Sequence, residues 1–127
     1  MFKIIVVALI YDKNRKVLLG KRSYTDKNYP GFWGLPGGTV EDNDCDLNVF
    51  EKTLSREIFE EIGCKIEIAK YIESHKNKNK IYVVFECKIV DGVPQPLHDT
   101  EEVKYFDIFE LSDKLCPNVK RIIENTK

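Results

Sequence analysis

Three carboxylates stand at i, i+3 and i+4 in the segment Arg56-Glu57-Ile58-Phe59-Glu60-Glu61-Ile62-Gly63. On a helix, Glu57, Glu60 and Glu61 project from one side. Like charges at that spacing repel, so they add nothing to helix stability and call for a cation. Hard oxygen donors suit Mg²⁺ or Mn²⁺ rather than a soft metal, and Mg²⁺ prefers one or two carboxylates completed by water and substrate phosphate. The chemistry on offer is metal-assisted displacement at phosphorus. The cation neutralises diphosphate charge and acidifies water, and a spare carboxylate takes the proton. Arg56, beside the trio, is placed to pair bidentately with one carboxylate and fix its orientation. A Glu-x-x-Glu-Glu triplet alone is common on exposed helix faces, so its surroundings matter. Upstream lies Pro36-Gly37-Gly38, where glycines permit turns and close approaches closed to other residues, and where backbone groups can face a metal or a phosphate. Downstream, Gly63 closes the helix.

The elements around the trio follow from periodicity. The helix begins between Asp44 and Asn48, with Asp44, Asp46 and Asn48 each a candidate N-cap. Phe50, Leu54, Ile58 and Ile62 form one apolar stripe, and the glutamates flank it. Phe59 lies off the stripe and needs another contact. Residues 2–11 read as a central strand, 12–15 as a turn and 17–22 as the return strand of a hairpin. A polar loop over 23–31 leads to the short apolar approach of residues 32–35. Residues 64–74 are β-rich, 76–79 turn, 80–90 form the next strand, 91–94 turn again and 102–106 form a last strand. Residues 110–112 and then 117–123 suggest a closing helix with Pro117 in its first turn. Strands before and after one mid-chain helix imply an α+β (mixed) fold, a mixed sheet sandwiched by a helix on each side, in one domain over residues 1–127.

Composition sets the outer bounds. Apolar residues make up 43%, charged residues 32%, and the net charge is −1, the balance of a globular protein rather than a disordered one. That charge gives no basic excess for a nucleic-acid polymer, and the short Lys76–Lys80 run is a solvated turn. The apolar N-terminus is too short to cross a bilayer and lacks a cleavage site, so no membrane association is expected. Four scattered cysteines with neither CxxC nor zinc spacing fit free thiols in a reducing cytoplasm.

Taken together, these residues resemble the Nudix hydrolase family, whose signature is G-x5-E-x7-R-E-U-x-E-E-x-G-U with U aliphatic. The chain has Gly38, then Arg56-Glu57-Ile58-Phe59-Glu60-Glu61-Ile62-Gly63-Cys64. The flanking Trp33-Gly34-Leu35-Pro36-Gly37-Gly38 and Leu18-Leu19-Gly20-Lys21-Arg22 are also similar to the family. Two departures stand out. Asp44 occupies the first glutamate position, and eleven residues rather than seven separate it from Arg56. Either the loop carries a four-residue insertion after Asp44, or it lengthens earlier and Asn48 takes the glutamate slot.

The resemblance implies an α/β/α sandwich and Mg²⁺-dependent hydrolysis, with Mn²⁺ as substitute, of a small nucleoside diphosphate linked to another group. Nucleoside triphosphate pyrophosphohydrolysis comes first, with ADP-ribose or another dinucleotide second and a non-catalytic nucleotide-binding domain as the rival. It implies Glu57, Glu60 and Glu61 as metal ligands with the Gly37 carbonyl, and Arg56 as their orienter. The general base is a box glutamate or a later acidic residue, Glu102 or Glu101. Arg22 and Gly38 would meet phosphate. Trp33, Tyr82, Phe85 and Tyr105 are aromatic candidates for stacking a base, with Phe85 and Tyr105 better suited to the core. His75 and His98 lie near turns as solvated residues. Oligomeric state, monomer or homodimer, is left open.

Overall fold

The computed structural model describes residues 2–41 and 48–126. Among these residues there are two sheets and two helices. Strand β1 (Lys3–Ile10) is central to the first sheet, where it pairs antiparallel with β4 (Gly37–Thr39) and parallel with β6 (Lys80–Asp91). Strand β5 (Lys65–Asn77) adds antiparallel to β6, giving the mixed order β4-β1-β6-β5. The second sheet is antiparallel, with β2 (Val17–Arg22) between β3 (Trp33–Gly34) and β7 (Thr100–Phe106).

Strand β1 explains why its sequence is apolar without alternation. Val6, Ala8 and Ile10 pack in one core with helix α1 (Val49–Ile62), while Val7 and Leu9 pack in a second core with helix α2 (Val119–Thr126). A strand buried on both faces needs apolar residues at every position. The helices therefore cover opposite faces, and the architecture is the expected mixed α+β sandwich.

In α1 the stripe packs as its spacing demands. Leu54, Ile58 and Ile62 are fully buried, each contributing about 2 kcal/mol, and Phe50 packs at the cluster's margin. Asn48 occupies the N-cap without a side-chain capping bond. Asp44 and Asp46, the other expected caps, lie outside the described residues, as does Cys45. Gly63 adopts φ 73° and its N–H donates to the Phe59 carbonyl. The N–H groups of Gln95 and Leu97 then donate to the carbonyls of Ile62 and Glu61, satisfying the helix end. This anchors residues 95–99 beside the carboxylates. Phe59 finds no such cover and stays 54% exposed.

Three local expectations are corrected. Residues 110–112 form no helix: the Asp107 side chain accepts from the Phe109 N–H and the Ser112 hydroxyl from the Lys114 N–H, so side-chain-closed turns win. Pro117 lies outside α2, because Asn118 at φ 70° breaks the helical path before Val119. Trp33 belongs to the second core, 8% exposed and edge-on to Phe106 with centroids 4.8 Å apart. Pairing of β3 with β2 and a bridge to Leu115 turn the indole inward. Phe85 is a core residue and Tyr105 packs against the same cluster. Cys64, Cys87 and Cys116 are free thiols. Among the described residues, no helix is long and apolar enough to cross a membrane.

Candidate active site

Strand β4 brings the two glycines against the carboxylate helix. A Cβ on Gly38 would lie 2.4 Å from the Glu57 carboxyl carbon, so only glycine lets this side chain lie across the strand. The Gly37 N–H donates to Glu61. Neither glycine has a positive φ. Their role is close approach, not a turn.

Glu57 and Glu61 line a cleft of about 350 Å³ with Lys21, Arg22, Asp26, Glu41, His98 and Asp99. Among the described residues, five carboxyl groups thus face the two cations Lys21 and Arg22 there. Burial, opposed by the Gly37 hydrogen bond and reinforced by the Glu57 charge, pushes the Glu61 carboxyl up to about 8. Burial, together with the charges of Glu60 and Glu41, also raises Glu57, while Arg56 and His98 oppose. Glu60 stands exposed at the rim, within electrostatic reach of both. Arg56 contacts Glu57 at 3.8 Å through one terminal nitrogen rather than by a short two-point fork. Among the described residues, no three His, Cys, Asp or Glu side chains converge to cage a metal unaided.

The raised Glu61 carboxyl has a consequence for the metal-free protein. Between about pH 4.5 and about pH 8 the folded chain holds a proton that the unfolded chain has released. Stability must therefore fall as pH rises through that window. In EDTA, calorimetry should show Tm dropping by at least about 3 °C. Glu61→Gln should flatten the fall, and an unchanged slope in that variant would remove Glu61 as its source.

Arg22 is held from two sides. Its terminal nitrogen donates to Asp26 Oδ2 at 2.7 Å and its Nε to the Asn28 carbonyl at 2.8 Å. It lies at the junction of the cleft with a second cavity of about 500 Å³, and Gly34, Leu35, Gly37 and Thr39 line both. The second cavity lies on the α2 side of the first sheet, among Ile5, Val7, Tyr29, His75, Tyr82 and Ile122. It has Lys78 and Lys80 on its wall and, among the described residues, no Asp or Glu in its lining.

Arg22, Gly37, Glu57 and Glu61 therefore come together, with Gly38 packed against Glu57. Trp33 lines neither cavity. Glu102 is exposed on β7 opposite Lys21, because the strand already starts at Thr100 and the preceding loop ends at Asp99. Glu101 is likewise an exposed strand residue. The later-loop groups that reach the cleft are His98 and Asp99, with His98 Nε2 3.3 Å from Asp99 Oδ2. Asp99 sits in one acidic stretch with Glu101 and Glu102, and its residue type does not set it apart from them. The His75 ring, expected to be solvated, is half-buried and stacks on Tyr82.

Comparison with known proteins agrees with this geometry. A MutT-like protein of Streptomyces ambofaciens is 29% identical over 88 residues, covering 68% of this chain and 54% of its own. A CTP pyrophosphohydrolase of Escherichia coli K12 is 32% identical over 73 residues, covering 58% and 50%. The chain thus matches about half the length of these curated relatives. The crystal structure of a MutT NUDIX hydrolase from Burkholderia pseudomallei superimposes with a TM-score of 0.84 over 100% of this chain and 99% of its own, at 24% identity, which bears on the fold. The NUDIX domain profile matches residues 1–126, so the strand, glycine and glutamate arrangement described above is that of a NUDIX domain, the family to which this chain belongs.

Proposed function

We propose that this chain hydrolyses a diphosphate bond in a nucleotide, with a nucleoside triphosphate as substrate and a divalent cation, Mg²⁺ or Mn²⁺, as cofactor. The observation that carries this reading is the junction at Gly37 and Arg22. There, a carboxylate-rich cleft opens directly into a cavity of mixed polar and apolar lining that no carboxylate lines among the described residues. A carboxylate-rich cleft repels phosphate unless a cation lies between. Two half-buried hard donors, Glu57 and Glu61, with room beside them suit Mg²⁺, which completes its shell with water and phosphate oxygens.

Glu57 and Glu61 would hold the cation, joined by the Gly37 carbonyl and by Glu60 from the rim. When bound, such a cation neutralises diphosphate charge and acidifies water. Arg56 restrains Glu57. Arg22, fixed by Asp26 and the Asn28 carbonyl, meets the phosphate at the junction and aligns it. The attacking water gives its proton to a carboxylate, the phosphorus–oxygen bond on its far side breaks, and the diphosphate (attack at the α-phosphorus) or the nucleoside monophosphate (attack at the β-phosphorus) departs. Glu57 and the later acidic residues compete for that base role; Asp99 lies in the cleft, whereas Glu102 lies on the adjacent strand. The nucleoside occupies the 500 Å³ cavity. The relative named as a CTP pyrophosphohydrolase supports a triphosphate substrate. Lys78 and Lys80 favour, as second reading, a dinucleotide such as ADP-ribose with further anionic groups. The free thiols fit a reducing cytoplasm.

A nucleotide panel with Mg²⁺, scored by product mass, tests the proposal. Release of diphosphate from a nucleoside triphosphate is expected; EDTA should abolish it, and Mg²⁺ or Mn²⁺ should restore it. Cleavage confined to dinucleotides would select the second reading. Binding without turnover on every substrate would leave a non-catalytic nucleotide-binding domain.

A further inference from the structure

His75 on β5 and Tyr82 on β6 are directly opposed in the antiparallel ladder, so both side chains leave the sheet on one face. Their rings stack with centroids 5.1 Å apart and 9° between planes, on the wall of the 500 Å³ cavity. Two residues back along β5, Glu73 places its Oε2 2.8 Å from His75 Nδ1. Both Glu73 oxygens also accept from the terminal nitrogens of Arg121 on α2, each at 2.8 Å. This fork-to-fork pair is the strong, geometrically specific form of the interaction. The Arg121 hydrogen bonds hold the Glu73 carboxyl below its ordinary value against the effect of burial, with His75 assisting.

An ionised carboxylate has no proton to give. His75 Nδ1 must therefore be the donor, and in the neutral ring the lone pair is left on Nε2. Among the described residues no protein group bonds to Nε2. The same cavity wall carries the permanent donors Arg22, Lys78 and Lys80, so Nε2 supplies what they lack, an acceptor. We propose that Arg121, Glu73 and His75 form a relay that selects the nucleobase: Arg121 and Glu73 fix the imidazole flat on Tyr82 in the Nδ1–H tautomer, and His75 Nε2 accepts an N–H from the base. The proposal rests on the reading that this cavity takes the nucleoside. His75 touches the base; Glu73 and Arg121 are positioning residues. A bare tie between α2 and β5 would change stability without changing base preference.

The test uses nucleoside monophosphates, so that binding is read without turnover. CMP is compared with its 4-deamino analogue, 2-pyrimidinone riboside monophosphate, and AMP with purine riboside monophosphate. ¹⁵N NMR of the His75 ring should show the Nδ1–H tautomer, and CMP or AMP should shift Nε2. The wild type should bind the amino-bearing partner of at least one pair about 10-fold more tightly. His75→Phe keeps a ring on Tyr82 but removes the acceptor, and should bind both members of that pair equally. Glu73→Gln, whose amide can donate to Nδ1 and free the other tautomer, should narrow the preference. An Nε2–H tautomer in the wild type, or an undiminished preference in His75→Phe, would overturn the relay. Loss of binding for every monophosphate would overturn it together with the nucleoside assignment of the cavity. A protein that keeps the preference but cleaves no nucleotide would instead sink the hydrolase reading alone.

Discussion

Glu61→Gln should lower kcat/KM for the preferred nucleotide by about 10³-fold, equivalent to about 4 kcal/mol of barrier, while leaving the fold intact. The separation of the two effects follows from the geometry. Glu61 is half-buried and accepts the Gly37 N–H, and without metal its carboxyl is protonated up to about pH 8. A glutamine carbonyl can still accept that hydrogen bond, and the neutral amide avoids the desolvation of a charge. Stability at neutral pH should therefore hold or rise. What the amide cannot provide is an anionic oxygen for a divalent cation, so calorimetric Mg²⁺ or Mn²⁺ binding should weaken with turnover. Glu57→Gln and Glu60→Gln complete the series. Wild-type turnover in Glu61→Gln with undiminished metal affinity would remove Glu61 from the site.

Gly37→Ala should instead fail through stability, by about 3 kcal/mol, with a lower urea midpoint and little soluble protein. A Cβ at position 37 would lie 2.0 Å from the Val6 carbonyl oxygen and 2.7 Å from the Val7 Cα. Both are backbone atoms of the central strand and cannot swing aside. The neighbouring change separates the two roles. At Gly38 the atoms nearest the added methyl all belong to the outer part of the Glu57 side chain, a flexible group. Gly38→Ala should thus keep its urea midpoint close to wild type and lose activity by displacing Glu57. Equal urea midpoints for Gly37→Ala and wild type would show that β4 can move away from β1, contrary to the pairing seen.

Much of this arrangement is legible in the sequence alone. The stripe of Leu54, Ile58 and Ile62, the glutamates beside it and the closing Gly63 are relations within one or two helical turns, and helix geometry alone dictates them. The two-sided burial of β1 was legible as an unbroken apolar run. Trp33 was not, because an indole in a short loop-like segment can face solvent or core. Its direction depends on β3 pairing with β2 and on Phe106, distant in sequence. Glu102 failed as a cleft residue for a similar reason. A shift of two or three positions moves a side chain from loop to strand, and only the β2–β7 register shows that the loop ends at Asp99. His75 looked like a turn residue until β5 ran on to Asn77 and set it opposite Tyr82.

The sequence by itself determined a helix with three carboxylates and an arginine, a pair of glycines that must meet something closely, and the family these belong to. Tertiary structure alone decided which carboxylates are desolvated, what each glycine meets and which distant segments enclose the nucleoside-sized cavity. The division has a physical cause. Side-chain spacing on a helix is set by the backbone within a few residues. Burial, close approach and the pairing of charges arise only when segments far apart in the chain exclude water from one another.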